Sequence, residues 1–208
     1  MFTFYYIRYT LVPHITVCFI HGMRQSNARE RILDTAANLF TRKGYALVGI
    51  NEIIAESKTA KASFYQYFPS KDDLCAAWLK RMHERSVEHH SELLKSPTLA
   101  RERILTYFKD LKDWLTTNEY RGCPYTTTSS MLKSDAPAIR EQIESHKRFL
   151  RDFFIDLASQ HVQGPKARQL GSMLFLLYSG ATAESQNVRS TWPVDTAIES
   201  VSELCNHE

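Results

Sequence analysis

The sequence predicts an all-α protein, and three observations carry that expectation. Chain breakers are sparse, with seven Gly and seven Pro in 208 residues, which disfavours strand-rich folds built on many tight turns. Apolar residues recur three and four apart along most of the chain, the period of a helix with one buried face, and no alternating run with hairpin punctuation competes. The breakers that are present stand where helices start or stop: Pro124, Pro137, Pro165 and Pro193 suit first turns, and Gly44 suits the position just past an end. Apolar residues at 43% and charged residues at 24% are ordinary for a globular chain and exclude wholesale disorder. The length allows one or two domains with a sizeable core.

The elements follow in order. Asn27 with Glu30 three residues on resembles a capping box, and Ile32, Leu33, Ala36, Leu39 and Phe40 stripe a first helix that Gly44 closes. Ile50, Ile53 and Ile54 mark a short second helix, and Lys61 to Tyr67 a third that stops before Pro69. Ser70 caps a fourth, with Asp72 and Asp73 in the first turn, where the helix dipole favours acids, and Leu74, Trp78 and Met82 as its stripe. Ile104, Phe108, Leu111 and Leu115 stripe a fifth, and Pro124 opens a sixth. Ile139, Ile143, Leu150, Phe153 and Leu157 define a long seventh after Pro137. Gly164-Pro165 starts an eighth containing the apolar run Met173 to Tyr178, and Val194, Ala197, Ile198, Val201 and Leu204 define a ninth.

Residues 1–22 are expected to stand outside the fold. Arg8, Pro13 and His14 interrupt the segment, leaving apolar runs far short of the ~20 residues that span a bilayer. It has neither a basic start nor a small-residue cleavage site, so it does not read as a secretory signal. Met23 opens a soluble, helix-ready stretch and is the expected start of translation; the alternative is a membrane anchor. Cys18, Cys75, Cys123 and Cys205 lie far apart with no CxxC pair. That argues against a zinc ribbon and a disulfide framework, and for a reducing cytoplasm.

Charge is uneven. Residues 1–74 hold nine basic and six acidic side chains, and residues 75–208 hold seventeen of each. A basic first third on a neutral body suits a nucleic-acid module joined to something else. The proportions agree: two helices of about seven residues with a short turn at Ser57–Ala60 are those of a helix-turn-helix, whose second helix enters the major groove. Phe64 and Phe68 are four apart and face inward, leaving Lys61, Ala62, Ser63, Tyr65, Gln66 and Tyr67 for DNA. Gln pairs bidentately with adenine, Lys donates to guanine, and hydroxyls reach phosphates. The competing explanation is a generic amphipathic helix with polar residues outward.

The stretch ARERILDTAANLFTRKGYALVGINEIIAESKTAKASFYQYFPSKDDL resembles the N-terminal domain of the TetR (AcrR-like) family of bacterial transcriptional regulators. Its elements are ILDTAANLF…KGY, INEIIAES and SFYQYFPSKDDL, the last being the most specific. The likeness covers roughly residues 27–75 well, and RGCPY at 121–125 and LLYSGATAESQ at 176–186 resemble C-terminal segments of one large subgroup. The resemblance implies a homodimeric, all-helical, cytoplasmic repressor that binds double-stranded operator DNA and is released by a small molecule, here unidentified. It implies a three-helix DNA-binding domain over 23–70 and a ligand-binding and dimerisation domain of about six helices over 71–208. It makes Asn51, Lys61, Ala62, Ser63 and Gln66 base-reading or groove-lining positions, and Tyr65, Tyr67 and Lys71 phosphate anchors. Packing against the first helix is an equal alternative for Tyr65, and a solvated surface charge the alternative for Lys71.

Two positions depart from the family pattern. Lys58 stands where Gly is usual in the turn, at a cost of about 1 kcal/mol if the residue takes positive φ; a slightly altered turn and an extra phosphate contact from its side chain are the two alternatives. Val48-Gly49 replaces the Thr or Ser that usually caps the second helix, so one phosphate contact is lost.

The body is rich in large apolar side chains, most of them core. An incomplete core that admits an apolar ligand would be lined by Trp78, Met82, Phe108, Trp114, Cys123, Tyr125, His146, Phe149 and Phe153. Cys123 precedes Pro124 and caps the sixth helix, where a reactive thiol or a small space-filling residue are the two alternatives. The eighth helix is apolar nearly all round and needs a partner on each side. Leu170, Met173, Leu174, Leu177, Tyr178 and Ala181, with Ile198 and Val201 of the ninth, are the expected dimer interface, a four-helix bundle about a two-fold axis. The alternative is a monomeric core covering both faces.

No GxGxxG, GxxxxGK[ST], GxSxG or HExxH occurs, so no enzyme, cofactor or metal site is expected. His83, Val87 and His90 share a face with Glu84 and Glu88 nearby and read as a surface charge cluster. The alternative to a DNA-binding regulator is a helical small-molecule-binding or enzymatic protein without specific DNA binding.

Overall fold

A computed structural model describes residues 27–132 and 135–206. The extension over 1–22, the start at Met23 and Cys18 lie outside the described residues. Among these, the chain forms nine α-helices: α1 (Ala28–Lys43), α2 (Ile50–Glu56), α3 (Lys61–Tyr67), α4 (Lys71–Lys95), α5 (Ala100–Thr117), α6 (Pro124–Ser130), α7 (Pro137–Ser159), α8 (Pro165–Val188) and α9 (Trp192–Leu204). A 3₁₀ turn, Tyr45–Leu47, joins α1 to α2. The start signals act as chemistry requires. The Asn27 side chain accepts the Glu30 N–H at 2.9 Å, and the Ser70 hydroxyl accepts the Asp73 N–H at 3.1 Å. Pro124, Pro137, Pro165 and Pro193 all occupy first-turn positions, where a missing N–H costs nothing.

Two apolar cores hold the helices together. The first gathers α1–α3, the first half of α4 as far as Leu79, and Cys123, Tyr125, Ala136 and Ile139 from α6 and the start of α7. The second gathers α5, the later part of α7, α8 and α9. The first core thus crosses the boundary expected at residue 70: α4 begins inside the small domain, and Trp78 packs on Phe40 of α1 with ring centroids 5.4 Å apart. Arg81 adds a polar tie, its guanidinium donating to Asp34 at 2.6 Å.

The rotation of α8 differs from the expected one. Leu170, Leu174, Tyr178, Ala181 and, on α9, Val201 are buried within the protomer's own second core, and Leu177 and Ile198 pack against its margin. Of the expected interface set only Met173 is exposed. The cause is the crossing with α7. A Cβ on Gly171 would stand 2.4 Å from the Ile155 Cα, so α8 turns its Gly171 side onto α7. The residues sharing that side go inward. Met173, Leu176, 66% exposed, and Gly180 are left on the outer side, with the exposed Trp192 at the start of α9.

Candidate nucleic-acid interface

The short helices are placed by a few buried anchors. Ile53 pins α2, and Phe64 and Phe68, both buried, pin α3 with their rings 6.3 Å apart. The turn between the helices is internally tied. The Ser57 hydroxyl lies 3.3 Å from the Ile54 carbonyl, to which it donates, and 2.8 Å from the Thr59 hydroxyl. Lys58 takes φ 51°, the left-handed conformation that glycine adopts without strain. Gly49 is extended at the start of α2 and provides no side-chain cap, so both expected departures are present in the backbone.

With Phe64 and Phe68 inward, Lys61, Ala62, Tyr65, Gln66 and Tyr67 are exposed on α3, and Asn51 is exposed in the first turn of α2. Ser63 is half-buried. Gly49, Ile50, Asn51, Lys61, Tyr65 and Lys71 line one open cleft of about 460 Å³. Four of the expected DNA-binding residues, Asn51, Lys61, Tyr65 and Lys71, thus meet in that cleft, while Ala62, Gln66 and Tyr67 extend the exposed face of α3 beside it. Tyr65 also sets its ring against the edge of Phe64, with centroids 5.3 Å apart. Its packing role and its exposure coexist.

Lys71 differs from a free surface charge. Its ammonium donates to the Tyr45 and Val48 carbonyls, each at 3.1 Å, and sits 4.3 Å from the centroid of the Tyr45 ring. The reason is local. The turn after α1 leaves carbonyls with no helical partner, and the first residue of α4 is close enough to satisfy them. One of its three N–H groups remains for the cleft. Tyr45 completes the clamp: its hydroxyl donates to Asp72, and its ring packs edge-on against Phe40 at 5.7 Å. The Tyr45 role was not read from the sequence; its place directly after the helix-closing Gly44 was the available signal.

The expected ligand-contact residues divide between the cores. Trp78 and Met82 belong with the DNA-binding helices, and Phe108 and Trp114 with α5 and its neighbours. Cys123, Tyr125, His146, Phe149 and Phe153 come together in a buried polar-aromatic band between α4, α6 and α7. Tyr125 stacks on His146 at 3.7 Å, its hydroxyl donates to the Leu79 carbonyl, and the Lys147 ammonium lies 3.8 Å from the Cys123 sulfur. His83 and His90 belong to this band rather than to a surface cluster. His83 Nδ1 is 3.3 Å from His146 Nδ1, and His90 is buried with its ring 4.3 Å from that of Phe153. Because His90 Nδ1 donates to the Ser86 carbonyl at 2.6 Å, its Nε2 is the acceptor for the Tyr107 hydroxyl at 2.9 Å. The Tyr107 ring in turn packs against that of Tyr178 of α8, with centroids 5.8 Å apart. Burial pushes His90 down to about 4 and also drives His146 well below the usual histidine range, helped by neighbouring His83 and Lys147. Both rings are neutral at pH 7. Cys123, Tyr125, His146, Phe149 and Phe153 were grouped from the sequence, whereas the share of His83, His90 and Tyr107 was not, because apolar periodicity marks core without marking which polar groups the core encloses.

Among the described residues no three His, Cys, Asp or Glu side chains are placed to hold a metal ion, and no helix is long and apolar enough to cross a membrane.

Comparison with known proteins agrees with the geometry. Residues 32–78, which run from within α1 through α2 and α3 into α4, match the family model for bacterial regulatory proteins of the tetR family. The HTH-type transcriptional repressor NemR of Escherichia coli is 25% identical over 192 residues, covering 86% of this chain and 94% of that protein. The HTH-type transcriptional regulator YuxN of Bacillus subtilis is 40% identical over 160 residues, covering 72% of this chain and 50% of that protein. The crystal structure of a TetR-family transcriptional regulator from Streptomyces coelicolor superposes with a TM-score of 0.75 at 24% identity, covering 86% of this chain and 94% of that one. The helix-turn-helix with its exposed α3, the all-helical body behind it and the matched N-terminal span lead to one assignment: this chain belongs to the tetR family of bacterial regulatory proteins and is a DNA-binding transcriptional regulator.

Proposed function

We propose that the protein is a cytoplasmic homodimeric repressor that reads operator DNA with α3 and leaves it when a small molecule binds in the helical body. The observation that carries the reading is the division of α3: Phe64 and Phe68 are buried while Lys61, Ala62, Tyr65, Gln66 and Tyr67 are exposed. A helix so held offers donors and acceptors to base edges, and Lys61 and Lys71 beside it favour the phosphate backbone. The two-fold partner is assigned to the outer side of α8, where Met173, Leu176 and Gly180 form an apolar, close-approach stripe. The effector site is assigned to the band of Cys123, Tyr125, His146, Phe149 and Phe153, whose neutral His146 imidazole and Tyr125 hydroxyl supply directional contacts within an apolar setting.

The test is fluorescence anisotropy on the duplex upstream of the protein's own gene and on a scrambled duplex of the same composition. Lys61→Ala and Gln66→Ala are expected to lose discrimination between the two, at about 1–3 kcal/mol per base contact. If both variants discriminate as the parent does, α3 is not the reading helix. A parent that prefers neither duplex supports the alternative of a helical small-molecule-binding protein.

A further inference from the structure

We infer that Lys58, in the turn between α2 and α3, is a DNA-backbone contact, held in a strained conformation because its charge is needed there; the inference rests on the DNA-binding reading of α3. Lys58 is exposed at φ 51°. A lysine in that conformation is strained relative to glycine, which has no Cβ to crowd its carbonyl. The fold gives little in return. The Lys58 N–H closes the turn onto the Ala55 carbonyl at 3.2 Å, a bond that glycine would make equally well. The turn is already held by the Ser57 and Thr59 hydroxyls. No ion pair among the described residues involves Lys58, whereas Lys43 at the end of α1 is paired with Glu52 of α2. A strained residue with an uncommitted cation points to a function outside the protomer.

Its location says which function. In a helix-turn-helix the first helix crosses the phosphate backbone while the N-terminal residues of the second enter the groove. The turn therefore lies where the chain passes from backbone to groove. Lys58 is three residues before Lys61, which lines the cleft with Asn51, Tyr65 and Lys71. A flexible lysine stem there extends the basic margin of the cleft along the backbone. The ligand is a phosphodiester oxygen, and the contact carries affinity and no sequence information.

The experiment uses the full-length protein, the duplex upstream of its own gene and a scrambled duplex, over a salt series, with thermal unfolding of the same samples. Lys58→Gly removes both strain and charge; Lys58→Gln keeps a Cβ and a polar stem but removes the charge; Lys58→Arg keeps the charge. Lys58→Gly is expected to unfold at a higher temperature than the parent yet bind both duplexes several-fold more weakly. Each lost phosphate contact lowers the slope of log K against log salt by about 0.9, so a two-headed dimer loses about 1.8. Lys58→Gln is expected to show the same loss of slope without the gain in stability, and Lys58→Arg to bind as the parent does. Unchanged affinity and slope in Lys58→Gly and Lys58→Gln overturn the contact and leave Lys58 as a cation near the C-terminal end of α2. A loss confined to the specific duplex also overturns it, since a phosphate contact acts on both. A parent that binds neither duplex removes the DNA-binding reading, and this contact with it.

Discussion

Replacing Lys71 by alanine separates two roles that one lysine can play. A solvated phosphate anchor contributes to DNA binding and almost nothing to the fold, and its removal changes stability by no more than about 0.5 kcal/mol. The geometry of Lys71 predicts more. Its ammonium donates to two carbonyls of the α1–α2 connection, at 3.1 Å each, and lies 4.3 Å from the Tyr45 ring centroid. Two such hydrogen bonds at about 0.5–1.5 kcal/mol each, with a cation–π contact of about 0.5–1 kcal/mol, make the loss about 1.5–4 kcal/mol. For a chain of this size that lowers the melting temperature by about 3–16 °C. Urea unfolding of parent and Lys71→Ala at one protomer concentration measures it, since a dimer's stability depends on concentration. The midpoint is expected to fall with the m-value unchanged. DNA affinity is expected to fall as well, because the loosened turn carries Gly49 and Asn51 at the cleft. A variant as stable as its parent refutes the clamp and returns Lys71 to the surface.

Two further outcomes follow from burial. Leu176 is exposed on the outer side of α8 and Leu174 is buried on the inner side. Leu176→Arg is therefore expected to give folded monomers by light scattering with operator binding lost, and Leu174→Arg to prevent folding; a folded Leu176→Arg dimer moves the interface off this stripe. Stability is also expected to fall on acidification from pH 7 to pH 5. Burial holds His90 at about 4 and His146 lower still, against about 6.5 in the unfolded chain. In that window the unfolded state binds protons that the folded state refuses, so stability is complete above about pH 6.5 and is lost as pH falls, by about 2 kcal/mol per buried histidine at pH 5. Urea midpoints at pH 7, 6 and 5 check it, and a profile that stays flat to pH 5 shows that the rings are not buried as neutral groups.

The helices were legible because their signals are local. Asn27 and Ser70 bond the N–H groups that their spacing to Glu30 and Asp73 suggested, and four prolines mark first turns. The burial of Phe64 and Phe68 was legible for the same reason, since a four-residue separation places them on one face whatever surrounds them. The positive φ at Lys58 stands where the resemblance, with its usual glycine in the turn, pointed to one. What was not legible depends on neighbours distant in sequence. α8 is apolar on most of its circumference, so its pattern does not say which side meets the protomer; the close approach of Gly171 to Ile155 decides it. His90 carries no mark of burial in a helix also bearing Glu84, Glu88 and His89, and it is the carbonyl of Ser86 and the hydroxyl of Tyr107 that make burial tolerable. Lys71 looked free because its partners are carbonyls, which every residue has.

The most direct test of the account is a hydroxyl-radical footprint of the protein on the DNA upstream of its own gene. If paired α3 helices read two half-sites, the parent is expected to protect two patches whose centres lie about one helical turn, roughly 10 bp, or a multiple of that apart. Lys61→Ala with Gln66→Ala is expected to abolish the pattern at the same protein concentration. Protection with no preferred position, or a pattern that survives in the double variant, contradicts sequence-specific reading by α3.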